Sequence, residues 1–452
     1  MNMMRRTCGV KIRRYLLHIG LFIAVVISLI LSAIIWVDPA TFHRTTMTQT
    51  TTNESTSVNN NISHYSWDDV YLPTNIVLTK NKQQFQLTSN QQDIVEKMRD
   101  ESKNVHIKDI SVKESNNFNT YHNELLNTDN IMLSYSGPMS IGIFEKIIDK
   151  HSLFNHYADR KFKHLVMPLN NHKVVYLFND NDLKVYRVDL KEDIPSKVYE
   201  VVNGKNIQQT PVQYQEITKN IFILNYPQGV SVPKYSYLIS KENTSLFVTH
   251  LLGSSSSNSI GTQEHKGVTV YSTDNGQRLM IDNKTGMVNY TSAQHGSHRD
   301  KMSFNKILRD NFDNLNNLGV TLDNVRYQGY NPTKRIVTYQ SYINNYPIIS
   351  NNDYGTYEIN LQKDGTIQYT FSIDNLQVPL PNNDQKVNLP PTNQIIQDLH
   401  NNNYDINKVQ NIEVGYDWSQ NPDSQMVVDL IPTYFIKYNG RWINYQNLNK
   451  NH

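Results

Sequence analysis

The chain has 452 residues, with 43 Lys and Arg set against 41 Asp and Glu, for a formal net charge of +2. That balance excludes the strongly basic footprint of a nucleic-acid-binding protein, and a single cysteine, Cys8, excludes an internal disulfide framework. Hydrophobic residues reach only 38 %, yet the 28 Tyr and 14 Phe, with a polar excess in Asn, Gln, Ser and Thr rather than in charge, fit a folded β-rich chain and not a disordered one.

From Tyr15 to Val37 the sequence is almost wholly apolar. This run of about 23 residues is long enough to cross a hydrocarbon core of about 30 Å as a helix. Arg5, Arg6, Lys11, Arg13 and Arg14 precede it; Asp38, Arg44 and Glu54 follow, with no lysine before Lys80. The positive-inside rule therefore predicts a cytoplasmic tail over 1–14, a single transmembrane helix over 15–37, and everything after Val37 outside the cell membrane. A cleaved signal peptide would have an apolar core of about 7–15 residues followed by small residues; here Leu31-Ser32-Ala33 falls inside the run. Cys8 precedes the run, which excludes a lipoprotein anchor, and it reads as a free cytosolic thiol. A cysteine-free exterior suits a Gram-positive bacterium.

Gly20, Ala24, Ser28 and Ser32 recur at every fourth residue and form one small-residue stripe on the predicted helix. Such a stripe lets another helix approach closely, and it also arises by chance, since small residues are common in membrane helices. We take it as the candidate packing face. A tail of 14 residues cannot form a domain, so any effect on the cytoplasm must pass through a neighbour in the membrane.

Residues 38–66, rich in Thr, Asn and Ser, read as a flexible spacer. An N-terminal extracytoplasmic domain follows over 67–200, with short helices at Asp93–Met98 and Phe144–Ile148. Its strands alternate at Val174, Tyr176 and Phe178, and resume at Val185 after the turn Asn179-Asp180-Asn181-Asp182. A central α+β domain over 201–300 carries hairpins turning at Asp274-Asn275-Gly276 and Asn283-Lys284-Thr285-Gly286. The C-terminal α+β domain, 301–452, opens with a helix capped by Ser303, carrying Phe304, Ile307, Leu308, Phe312 and Leu315, and closed by Gly319. A hairpin follows around Lys363-Asp364-Gly365. After Pro390-Pro391 the scheme restarts: Gly415-Tyr416 matches Gly329-Tyr330, and Thr433-Tyr434 with a later Asn-Gly turn matches Thr338-Tyr339 with Asn344-Asn345. This reads either as two diverged helix-plus-hairpin halves or as chance similarity. The predicted class is α+β, a multi-domain ectodomain of antiparallel sheets with packed helices.

The chemical motifs are sparse. The sequence has no Walker loop, dinucleotide fingerprint or H-E-x-x-H pair. His295 and His298 lack a third ligand at a supporting spacing. Ser254 to Ser257 form a loop-like serine run without a nucleophile elbow. Leu389-Pro390-Pro391-Thr392-Asn393 lacks the rest of a wall-sorting signal. Trp418 and Trp442 could stack on sugars, although packing is the commoner fate of such rings. No catalytic residue, metal or cofactor is expected.

The plan resembles the YycH family, extracytoplasmic regulators of the WalK (YycG) sensor kinase. The resemblance rests on the basic N-terminus with one helix, Leu72-Pro73-Thr74, Tyr339 and Tyr342 followed by Tyr346-Pro347-Ile348, Gly415-Tyr416-Asp417-Trp418, Ile431-Pro432-Thr433-Tyr434 and Asn439-Gly440-Arg441-Trp442. It spans nearly the full length and is best over the last third; the first domain favours YycH over the smaller sister family, YycI. It implies a non-enzymatic, membrane-embedded regulator of cell-wall metabolism whose partners are a WalK-type kinase and a YycI-like protein, with no nucleic acid. A surface module binding wall polymer or peptide is the alternative from a different class.

Overall fold

The computed structural model describes Val25 and residues 65–450, except 103–104, 115–116, 127, 150–155, 254–259, 294–301, 320–321, 323, 351–353 and 382–384. The elements below lie in the compact unit Ile62–His452. The expected membrane span 15–37, with its stripe Gly20, Ala24, Ser28 and Ser32, falls outside the described residues apart from Val25, as do His295, His298 and Ser254 to Ser257. Among the described residues no helix is long and apolar enough to cross a membrane.

The first part of the chain runs α1 (Trp67–Val70), β1 (Asn75–Lys80), β2 (Gln83–Thr88), α2 (Ile94–Glu101), β3 (Ile107–Glu114), α3 (Phe118–Leu126), β4 (Asn130–Ser140) and α4 (Ile141–Ile148). It continues with β5 (Lys161–Pro168), β6 (Val174–Asn179), β7 (Lys184–Leu190), α5 (Ser196–Val201), β8 (Gln208–Thr218) and β9 (Ile221–Asn225). Its strands form one nine-stranded antiparallel sheet in the order β3-β7-β6-β5-β4-β1-β2-β8-β9. Alternation along β4 divides the core: Ile131, Leu133 and Tyr135 enter a cluster beneath α2, α4 and α5, while Met132 enters a second cluster with Tyr121 of α3. Both faces are covered, so β4 and β6 are buried at nearly every position, and β6 is apolar along most of its length.

Next come β10 (Val230–Pro233), β11 (Tyr235–Lys241), α6 (Thr244–Leu252), β12 (Ile260–His265), β13 (Val268–Thr273), β14 (Arg278–Asp282), β15 (Met287–Ser292) and α7 (Phe304–Asn316). They lead to β16 (Val325–Asn331), β17 (Ile336–Ile343), β18 (Tyr346–Ile349), β19 (Thr356–Leu361), β20 (Ile367–Ser372), β21 (Asp374–Pro379) and β22 (Lys386–Leu389). The last elements are α8 (Thr392–Asn401), β23 (Val409–Gln420), β24 (Val427–Tyr438) and β25 (Arg441–Asn444). A 14-stranded assembly follows the path β12-β13-β14-β15-β20-β19-β17-β18-β23-β24-β11-β21, with β16 on β17 and β25 on β24; β10 and β22 pair separately.

Strand pairing crosses both boundaries expected from sequence. The 208–225 hairpin completes the first sheet, because Gln84–Thr88 pairs with Gln208–Val212. The hairpins of 260–292 continue into the C-terminal part, because Met287–Ser292 pairs with Ile367–Ser372.

Local chemistry explains the element ends. Ser303 caps α7 by accepting the Lys306 amide at 3.3 Å, and Gly319 follows with φ of +71°. Each of α7 and α8 is followed by an antiparallel meander, β16-β17-β18 and β23-β24-β25. Gly329-Tyr330 and Gly415-Tyr416 occupy the first strand of each, and Thr338-Tyr339 and Thr433-Tyr434 the second. Both second turns use two positive-φ residues, Asn344 (49°) with Asn345 (71°) and Asn439 (50°) with Gly440 (78°), as tight two-residue hairpins require. The two meanders meet through the parallel pair β18–β23, Ile348 opposite Tyr416.

Candidate functional site

A polar seam lies between the first sheet and the C-terminal strands. Met132, Ser134 and Ser136 alternate along β4, and the two serines bring hydroxyls to the face that His164 of β5 also reaches. Ser134 Oγ lies 2.7 Å from His164 Nδ1, and His164 Nε2 lies 3.0 Å from Asp180 Oδ2. Tyr214 of β8 places its hydroxyl 2.6 Å from the same Nε2 and donates to Asp180 Oδ2 at 2.9 Å, while Tyr121 donates to Asp180 Oδ1 at 2.6 Å. Burial alone would raise the Asp180 carboxyl. The charges of His164 and Lys163, and hydrogen bonds from His164 and Tyr121, outweigh it and hold that carboxyl well below the usual range.

Serine, histidine and aspartate in this order have the look of a nucleophile and its base. The surroundings argue for a structural network instead. Both carboxylate oxygens already accept tyrosine hydroxyls, and Nε2 is shared between Asp180 and Tyr214. The adjoining cavity is only about 70 Å³, room for a few waters and far below the size of small-molecule sites. Fully bonded, such a network fixes the positions of the strands it joins.

A second chain of hydrogen bonds leaves the same cleft and crosses between the sheets. Thr74 Oγ1 lies 3.0 Å from Ser136 Oγ, which lies 2.9 Å from the Tyr342 hydroxyl. Tyr342 donates to Gln328 Oε1 at 2.5 Å, and Gln328 Nε2 donates to Glu413 Oε1 at 3.2 Å. Burial pushes the Glu413 carboxyl up to about 7, against the opposing charge of Lys437. Four strands, β4, β16, β17 and β23, are thus joined by Ser136, Gln328, Tyr342 and Glu413, with Thr74 anchoring the near end.

Two further contacts lock this junction. Arg326 of β16 is fully buried; its guanidinium donates to the Pro73 carbonyl at 2.8 Å and is paired with Asp93, whose other oxygen caps α2 through the Val95 amide at 2.9 Å. At the crossing of β4 over β16, a Cβ on Gly137 would sit 2.6 Å from Gly329 Cα and 2.7 Å from the Gln328 carbonyl oxygen. Only glycine permits that approach.

Some of the residues carrying the family resemblance lie at this junction and others lie away from it. Pro73 accepts from Arg326 across it, Thr74 holds Ser136 on the near side, Tyr339 is buried against Tyr71 and Tyr327, and Tyr342 bridges the sheets. Gly415 leaves room for Pro347, whose carbonyl oxygen would lie 2.9 Å from an added Cβ. Trp418 is stacked on Tyr354 at 3.4 Å between ring centroids, so one face of that ring is already occupied; Trp442 receives Lys437 over its ring at 5.5 Å. Sequence reasoning missed His164, Asp180, Tyr214, Glu413 and Arg326. The available signals were weak: a histidine just before the apolar run Leu165-Val166-Met167, and a lone arginine near the start of an otherwise uncharged strand.

Comparison with known proteins agrees with this architecture. The family model for the YycH protein N-terminal domain matches residues 16–208, and that for the C-terminal domain matches residues 218–451. No curated protein matches the sequence. Among solved structures, the fold is similar to the crystal structure of YycH from Bacillus subtilis, with a TM-score of 0.68 at 13 % sequence identity, covering 85 % of this chain and 98 % of that one. An uncharacterized protein from Eubacterium rectale is similar at a TM-score of only 0.31 and 11 % identity, covering 52 % of this chain and 88 % of that one, too slight a likeness to carry an argument. The two family models account for nearly the whole chain, and the protein belongs to the YycH family, regulators of the WalK (YycG) sensor kinase.

Proposed function

We propose that the protein is a single-pass, membrane-anchored extracytoplasmic regulator that acts on a WalK-type sensor histidine kinase by protein–protein contact and so controls cell-wall metabolism. The observation that carries this reading is the match of both YycH domains along one chain. The contact includes the apolar helix 15–37 and runs along Gly20, Ala24, Ser28 and Ser32, where small side chains let a kinase helix or a YycI-like helix approach. The charge distribution around that helix supports a cytoplasmic N-terminus and an exterior C-terminal region. In this reading the helix is the part of the chain that biases the kinase's own helices.

The experiment is a replacement of residues 15–37 by an unrelated transmembrane helix of equal length and orientation, with kinase-dependent transcription as readout. The proposal expects regulation to be lost while the protein stays at the membrane. Unchanged output would place the regulatory contact in the exterior region instead.

A further inference from the structure

Beneath the opposite face of the first sheet, under α2, α4 and α5, lies a cavity of about 440 Å³, within the range of small-molecule sites. Leu133, Leu165, Met167 and Val175 form its floor, and Met98 and Phe144 reach it from the helices. The floor residues stand in the interior of a covered sheet, yet they keep exposures of 7, 8, 5 and 5 %. That residual surface faces the void. Two methionines give the walls an adaptable outline.

Tyr135 belongs to the same lining. It follows Leu133 on the same face of β4, is 4 % exposed, and packs its ring edge-on to Phe162 at 5.5 Å. Its hydroxyl hydrogen-bonds to none of the described residues. Tyr71, the other tyrosine of the lining, donates to the Leu308 carbonyl at 2.7 Å. The residue is buried but its oxygen is not sealed off, and it stands in the lining of a cavity that can hold a partner for it. Of the ionisable groups in the lining, Arg99 pairs with Asp69 at 2.8 Å and His106 lies 3.2 Å from Glu192, while Asp68 and Asp149 contribute further carboxylates.

We propose that this cavity binds the alkyl chain of a long-chain fatty acid or monoacyl lipid, whose carbonyl oxygen accepts the Tyr135 hydroxyl. The lining offers hydrocarbon, thioether sulfur and one unused donor, and an alkyl chain bearing an acceptor is its complement. A cavity of this size holds a small molecule and not a partner helix, which is about 10 Å across with its side chains.

The test uses the full chain in phospholipid nanodiscs and palmitic acid carrying a mid-chain diazirine. After irradiation, mass spectrometry should find label on the peptides containing Met98, Leu133 to Tyr135, and Phe144. Competition by unlabelled palmitic acid identifies a free acid as the ligand, and competition by lysophosphatidylcholine alone identifies a monoacyl lipid. Leu165→Trp, which fills the cavity, should lower labelling of these peptides at least tenfold. Tyr135→Phe should weaken the acid about fivefold, the loss of one hydrogen bond, and leave a diazirine-bearing hexadecane unaffected. If Leu165→Trp does not fold, Tyr135→Phe decides alone. Label absent from these peptides, or acid labelling indifferent to Tyr135→Phe, overturns the proposal.

Discussion

Arg326→Ala isolates the strongest tie between the two sheets. Arg326 is 0 % exposed and its partner Asp93 has a side chain only 10 % exposed. The truncation removes the ion pair, the hydrogen bonds to the Pro73 carbonyl at 2.8 Å and to Asn324 Oδ1 at 3.2 Å, and the guanidinium over the Tyr342 ring at 5.4 Å. It also leaves a buried carboxylate uncompensated, which in comparable sites costs about 3–5 kcal/mol; with a cavity added, we expect about 4 kcal/mol or more of lost unfolding free energy. Asp93→Asn should cost less, because an asparagine still caps α2. The double variant Asp93→Asn with Arg326→Ala should lose less than the sum of the two, with a coupling of about 2 kcal/mol. Urea denaturation of the full chain followed by tryptophan fluorescence measures all four states. A loss below about 1 kcal/mol for Arg326→Ala, or a coupling near zero, would refute the reasoning.

Two other predictions concern the same junction. Glu413 has its carboxyl raised from 4.5 to about 7 by burial, so between those values the folded chain keeps a proton that the unfolded chain has released. Stability therefore falls as pH rises through that window, by about 3 kcal/mol at most, and the loss is complete above it; Glu413→Gln should flatten the difference between denaturation midpoints at pH 5 and pH 8. Gly137→Val forces a side chain onto the backbone of Gln328 and Gly329 and should cost about 3 kcal/mol. In thermal melts of both variants, Gly261→Ala, whose Cβ meets nothing closer than 3.5 Å, should shift stability by less than about 0.5 kcal/mol.

The elements legible in the sequence are those whose determinants are local. The Ser303 cap with its apolar stripe, the turn at Lys363-Asp364-Gly365 and the turn at Asp274-Asn275-Gly276 each lie within a few residues of the structure they specify. Gly329-Tyr330 and Gly415-Tyr416 stood out as strings, and they hold equivalent places in the two meanders. Sheet membership was not legible, because β2 and β8 pair across more than a hundred residues and β8 carries no mark of its partner. The polar seam was hidden for the same reason: Ser134, His164, Asp180 and Tyr214 come from four separate segments, and Asp180 sits in a turn whose composition suggests exposure although it is buried. The cavity under α2, α4 and α5 follows from how three helices rest on a sheet, which no string of residues encodes.

The most direct test of the regulatory account is crosslinking of the full chain from intact membranes, followed by identification of what is recovered with it. The account predicts that a WalK-type kinase and a YycI-like protein are recovered, and that Ala24→Leu with Ser28→Leu abolishes their recovery while the exterior region stays folded. Recovery of wall fragments with neither protein would contradict it.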